Sequence, residues 1–244
     1  MSSVLIISGS PSSTSRTERL ARSIAQRVAA RDVQASLLDV RDLPAADLLH
    51  ARFDAPSIVE ATARVAAADG IIVATPVYKA AYSGLLKTFL DVLPQFGLRG
   101  KVVLPLATGG SVAHVLAIDY ALRPVLSSLD PLHVVNGLFL LDKQITVLET
   151  GEVQLEPEVD QKLNVVIDQF LRGLQRVASA GIRALFAGRG ARVTTQRAGG
   201  VFGGRARSVC EPFLCGIFQG ARGGIEALGL RLPKFGVVLR WCET

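Results

Sequence analysis

A doubly wound α/β fold, with five parallel strands and helices on both faces, is the class this sequence predicts. Three observations predict it. Short apolar runs alternate with amphipathic stretches along residues 1–175, the order that builds a parallel sheet from strand–helix–strand crossovers. Residues 70–75 (GIIVAT) are continuously apolar, as a strand covered on both faces must be. Residues 4–9 form an apolar run that stops at Gly9 and opens into hydroxyls ahead of a helical pattern.

Each element has its own warrant. After the first strand at 4–9, residues 18–30 form a helix with Leu20, Ile24 and Val28 on one face. Residues 33–40 read as strand two, and 42–54, which carry Pro44, as loop or short helix. Residues 56–68 suit a helix with Pro56 in its first turn. Its Ile58, Ala61, Val65 and Ala68 share an apolar face. Strand three is 70–75, followed by a helix at 83–93. Strand four is 101–107 (KVVLPLA), although Pro105 suits an edge or a bulge. A long helix at 112–129 leads to strand five at 132–141. Residues 145–155 read as a hairpin or an added edge. A helix at 158–175 closes the unit, with Val159, Leu163, Val166, Ile167, Phe170 and Leu174 on its buried face.

The 244 residues are 49% hydrophobic and 20% charged, enough apolar material for a sizeable core. No apolar run reaches the roughly 18 residues of a membrane span. The N-terminus lacks a basic segment followed by a long apolar one. A cytoplasmic protein without membrane contact is therefore expected. The net charge of +6 is unevenly spread: residues 1–175 hold 16 Lys+Arg and 18 Asp+Glu, whereas 176–244 hold 11 and 3. This asymmetry divides the chain into a domain, 1–175, and an atypical basic Arg/Gly-rich C-terminal extension, 176–244. The extension contains Cys210, Cys215, Cys242 and Trp241, and 13 of the 23 glycines. It follows neither the strand nor the helix period. Its cysteines have no histidine partners for zinc. Its composition matches a shifted reading frame in a GC-rich gene, and loose packing is expected there.

In doubly wound sheets, ligands sit outside the carboxyl ends of the strands, at the switch in strand order. Three loops should converge there. The first, residues 9–17 (GSPSSTSRT), joins a helix N-terminus to a set of hydroxyls and Arg16, which makes an anion site. It lacks both G-x-x-x-x-G-K-[ST] and G-x-G-x-x-G, so it suits a monophosphate ester such as the tail of FMN better than a triphosphate or a pyrophosphate. The same residues also suit a Ser-rich turn with Thr14 or Ser15 as helix N-cap. The second loop, 75–83 (TPVYKAAYS), offers apolar and aromatic surface for a flat heteroaromatic ring, or is a surface turn with Tyr78 and Tyr82 half buried. The third, 107–111 (ATGGS), either lets backbone approach a ligand at Gly109 and Gly110 or is a plain strand-to-helix turn.

The segments GSPSSTSRT, ARFDAPS, DGIIVATPVYKAAYSGLLKTFLD and GKVVLPLATGGSVAHVLAIDYALRPVL resemble the NADPH-dependent FMN reductases, over about residues 1–175. Among these they most resemble the flavin reductases of alkanesulfonate monooxygenase systems. The resemblance implies a flavodoxin-like fold, a homotetramer, and a reaction in which NADPH reduces FMN. The reduced flavin then passes to a separate alkanesulfonate monooxygenase. It also implies that Ser10, Ser15, Arg16 and Thr17 hold the FMN phosphate. Pro76, Val77, Tyr78 and Lys79 would lie against the isoalloxazine, with Thr108, Gly109, Gly110 and Ser111 near its far edge. Tyr120 matches a tyrosine that forces a π-bulge at a subunit interface, where flavin comes and goes as a substrate; the residue itself is equally readable as a packed aromatic.

Residues 1–175 contain no cysteine, no G-x-S-x-G and no H-E-x-x-H. No catalytic acid, base, nucleophile or metal is expected, and hydride transfer between cofactors needs none. His114, near Ser111, reads as a helix-surface or interface residue, and His50 and His133 have no companions to make a metal site. Two other readings are a quinone or azo reductase that keeps its FMN, and a non-enzymatic module whose basic tail binds nucleic acid. A one-electron flavodoxin carrier would be more acidic than residues 1–175 are. Nucleic acid is not expected as a partner.

Overall fold

The computed structural model describes residues 2–179. Strand β1 (Ser3–Ser8) leads into α1 (Arg16–Ala29) and β2 (Gln34–Asp39). A short α2 (Ala45–Leu49) and then α3 (Pro56–Ala67) return to β3 (Gly70–Tyr78), whose end folds back as β4 (Ala81–Tyr82). Helix α4 (Gly84–Asp91) precedes β5 (Val102–Gly109), and α5 (Arg123–Ser128) precedes β6 (His133–Val134) and β7 (Leu138–Leu141). A separate antiparallel ribbon, β8 (Ile145–Val147) and β9 (Val153–Leu155), comes before α6 (Pro157–Ser179).

The sheet runs β2-β1-β3-β5, with β6 and β7 sharing the fifth position, all parallel. Chain order reverses between β1 and β3, which places the crevice outside their carboxyl ends. Alternation along β1 divides the core. Val4 and Ile6 pack with Leu20, Ile24 and Val28 of α1 and with Leu163, Ile167 and Phe170 of α6. Leu5 and Ile7 pack with Ile58 of α3, Phe89 of α4 and Leu126 of α5. Each fully buried side chain of this size contributes about 1.5–3 kcal/mol. Gly70 lets α6 press onto β3, because a Cβ there would lie 2.6 Å from Phe170 Cζ. Among the described residues, no helix is long and apolar enough to cross a membrane.

Four elements differ from the sequence reading. The second sheet-end loop is a hairpin: β3 runs on to Tyr78 and pairs with β4, turned by Lys79 and Ala80 at φ 49° and 63°. The helix expected at 112–129 breaks into a 3₁₀ turn (Val112–His114), a π-helical turn (Ile118–Leu122) and α5; the π-helical turn holds Tyr120, where the family resemblance implies a π-bulge. Pro124 has no N–H to give, so a regular ladder cannot run through it. The fifth strand is split. Pro105 lies inside the sheet, not at an edge, and the gap stands opposite it: pairing with β6 ends at Val103↔Val134 and pairing with β7 begins at Leu106↔Leu138. In that gap Gly137 approaches closely, since a Cβ on it would sit 2.7 Å from the Pro105 carbonyl oxygen. Finally, α6 passes through the expected boundary at 175 and runs to Ser179. From residue 180 onward, the Arg/Gly-rich extension, with its cysteines and Trp241, lies outside the described residues.

At the opposite end of the sheet Lys101 is buried, with 8% of its surface exposed. Its Nζ donates to the carbonyls of Ala66 (2.9 Å) and Ala68 (2.6 Å), which the C-terminus of α3 leaves unpaired. Burial pushes its ammonium down to about 8 from 10.5. Between these values the unfolded chain binds more protons, so this group's contribution is complete above 10.5 and is given up as pH falls to about 8. Melting wild type and Lys101→Met side by side from pH 7.5 to 10.5 should show wild type gaining on the variant as pH rises. A constant gap would mean that the amine keeps its ordinary pKa.

Candidate functional site

Four segments line a cavity of about 570 Å³ outside the carboxyl ends of the strands: residues 14–17, 76–78, 108–110, and 142, 143 and 145–147. The first segment is set by the end of β1. Gly9 N–H donates to the Ala74 carbonyl at 2.8 Å, which extends the ladder by one residue. Ser83 Oγ donates to the Gly9 carbonyl at 2.5 Å and accepts from Leu86 N–H at 3.1 Å, so one hydroxyl caps α4 and fixes the β1 turn. Ser15 is the N-cap of α1, its Oγ accepting from Glu18 N–H at 3.1 Å. Ser10 is buried behind it, hydroxyl to hydroxyl with Ser15. The amides of Arg16 and Thr17 begin α1 and have no intrahelical acceptor.

Two contacts join this loop to its neighbours. Thr17 Oγ1 and Thr108 Oγ1 share a buried hydrogen bond of 2.6 Å, linking it to the end of β5. Arg16 Nε donates to the Ile145 carbonyl at 3.2 Å, linking it to the ribbon. The Arg16 side chain is exposed and forms no ion pair among the described residues. Beneath the loop, Glu18 is 1% exposed. Arg22 bonds Glu18 Oε1 through Nε and Asp39 Oδ2 through Nη2 (3.1 Å). The Glu18 hydrogen bond holds the Arg22 guanidinium above its usual range. Arg19, 3.6 Å from Glu18, and Arg41, 3.7 Å from Asp39, add to Arg22, so the two buried carboxylates at the start of α1 are offset by three guanidinium groups.

Pro76, Val77 and Tyr78 form the second wall at the root of the hairpin, with Tyr78 half exposed. Thr108, Gly109 and Gly110 form the floor. A Cβ on Gly109 would come within 3.0 Å of Phe139 Cζ, whereas one on Gly110 would meet only Asp142 Oδ2, at an ordinary contact distance of 3.7 Å. Four sequence-predicted residues do not line the cavity. Ser10 is buried behind Ser15. Lys79 sits at the hairpin turn, exposed. Ser111 caps the 3₁₀ turn by accepting from Ala113 N–H at 3.2 Å. Tyr120 sits in the π-helical turn with 79% of its surface exposed. The fourth wall, Asp142, Lys143, Ile145, Thr146 and Val147, was not foreseen. It carries no motif; the only signal was that strand five also ends on this side of the sheet.

The donor set fits FMN. Amides, hydroxyls and one guanidinium at a helix start suit a phosphate dianion. The apolar Pro76 and Val77 wall and the side-chain-free floor at Gly110 suit a flat ring.

The NADPH-dependent FMN reductase family matches residues 2–146 of this chain. The chain belongs to that family. The reductase is 48% identical over 174 residues to FMN reductase (NADPH) of Pseudomonas putida, spanning 71% of this chain and 88% of that one. It is 44% identical over 173 residues to FMN reductase (NADPH) of Escherichia coli, spanning 71% and 90%. The crystal structure of an NADH:FMN oxidoreductase (EMOB) in its apo form aligns with a TM-score of 0.64 at 48% identity, covering 70% of this chain and 88% of that one. The reductase is thus an oxidoreductase whose cofactors are FMN and NADPH.

The Thr17–Thr108 bond holds two walls of its cavity together. Thr17→Val leaves the Thr108 hydroxyl buried without its partner and should cost about 1–3 kcal/mol in urea unfolding. An unchanged midpoint would show that the bond is dispensable.

Proposed function

We propose that the cavity binds FMN, that NAD(P)H reduces it there, and that the reduced flavin leaves for a separate flavin-dependent alkanesulfonate monooxygenase. The observation that carries the binding reading is the α1 start, where Ser15, Arg16 and Thr17 converge on one cavity wall. In this reading Arg16 and the first-turn amides of α1 hold the phosphate, and Ser10 and Ser15 keep the loop in shape. Pro76, Val77 and Tyr78 lie along the ring, with Lys79 at the rim. Thr108, Gly109 and Gly110 pass beneath its far edge, and Ser111 fixes the turn that follows. Bound flavin supplies a two-electron acceptor for the nicotinamide hydride. The chain's own part is to orient the partners and keep water out.

The passage of flavin to a separate enzyme rests on the likeness to the flavin reductases of sulfonate-using systems and on the neighbourhood of Tyr120. That tyrosine crowns a π-helical turn, a feature often found at functional sites. Val112, Val115 and Leu116 beside it in sequence are also exposed. A homotetramer would cover this apolar stretch, and the reaction would run in the cytoplasm. Residues 1–175 carry the whole activity in this reading.

NADPH oxidation by the purified protein, measured with and without free FMN, tests the proposal. The rate should rise with added FMN and saturate; indifference to FMN overturns it. Arg16→Ala should weaken FMN binding by about 1.5–3 kcal/mol in a fluorescence titration. Unchanged affinity would move the phosphate elsewhere. Tyr120→Ala should purify yellow, with flavin retained, and a colourless variant would remove Tyr120 from flavin release.

A further inference from the structure

The cavity has two points of positive charge, and one flavin phosphate can satisfy only one of them. Arg16 meets the fourth wall at its Ile145 end. Lys143 lines the same wall on the turn before it, and follows Asp142, whose Oδ2 lies 3.7 Å from where a Cβ of Gly110 would be. Lys143 lines the cavity, is exposed, and has no hydrogen bond or ion pair among the described residues. The turn that carries it is pinned on both sides. Gln144 Oε1 accepts from Leu141 N–H at 3.0 Å, and Gln144 Nε2 donates to Glu156 Oε2 at 3.2 Å. Leu141 itself is in register with Gly109 on the sheet. An exposed, unpaired ammonium on a pinned turn at a cavity wall is suited to a terminal dianion.

We infer that Lys143 receives the 2′-phosphate of the nicotinamide cofactor and sets the preference for NADPH over NADH. This rests on the proposed reading of the cavity as the site of flavin reduction. A pyrophosphate fits less well at this position, since pyrophosphates are bound by backbone amides at glycine-rich loops and helix starts. The turn at Asp142–Gln144 is a single 3₁₀ turn and supplies no such array. What it supplies is one side-chain cation, which suits a phosphate monoester projecting from a ribose.

Two measurements test the inference. In steady-state kinetics, the ratio of kcat/KM for NADPH to that for NADH should fall about tenfold in Lys143→Ala and further in Lys143→Glu, as expected for loss or reversal of one close charge pair. Lys162→Ala, which removes a charge paired with Glu158 on α6, should keep the wild-type ratio. An unchanged ratio in the Lys143 variants, an equal loss with both nucleotides, or an equal shift in Lys162→Ala overturns the assignment. In calorimetry without flavin turnover, 2′,5′-ADP should bind wild type more tightly than 5′-AMP does, and Lys143→Ala should abolish that difference; if the difference persists, the inference fails. Should wild type reduce no FMN, the proposed function falls, while calorimetry still decides the role of Lys143.

Discussion

Leu86 Cβ stands 2.7 Å from where a β-carbon on Gly9 would lie, so α4 can press against the end of β1 only if that residue is glycine. The hydroxyl of Ser83 occupies the remaining space and binds the Gly9 carbonyl. This one junction ends the first strand, starts α4, and turns the chain toward Ser10 and the start of α1. The positions of Arg16 and Thr17 descend from it. Thr75 belongs to the same junction, its Oγ1 accepting from Ser83 N–H at 3.0 Å. The turns after β1 and β3 therefore share one set of hydrogen bonds and cannot move independently.

Charge beneath the loop is arranged to the same end. Asp39 is the register partner of Ser8, and Glu18 lies in the first turn of α1, so two buried carboxylates lie close to the loop that follows β1. Arg22 spans both, and Arg41 stands 3.7 Å from Asp39. Removing Arg22 would leave the two carboxylates only the longer contacts of Arg19 (3.6 Å) and Arg41 (3.7 Å), a larger penalty than the loss of a surface pair. The positive end of the α1 dipole is thus left available to a ligand.

Much of the fold was legible because period and burial agree. Leu20, Ile24 and Val28 recur at helical spacing and are fully buried, and the continuous apolar run at 70–75 is the central strand. The Gly9 turn was readable from residue type alone, and of the two N-cap candidates, Thr14 and Ser15, the structure uses Ser15. The departures occur where tertiary structure overrides local signals. Lys79 and Ala80 adopt left-handed backbone without glycine or asparagine, so nothing in TPVYKAAYS announced a hairpin. Pro105 survives inside the sheet because the neighbouring strand breaks opposite it, and Gly137 makes the break fit. The fourth wall was invisible because Asp142 and Lys143 belong to no motif; only the topology brings them beside Gly110.

The ribbon of β8 and β9 pairs with itself and not with the main sheet. Its hold on the body comes through two buried anchors, Ile145 and Leu155, and through the carbonyl that Arg16 grips. A grafted ribbon that keeps those anchors would bring a different set of rim side chains without disturbing any strand ladder. One side of the cavity can thus be exchanged piecewise while the parallel sheet that carries the other three stays intact.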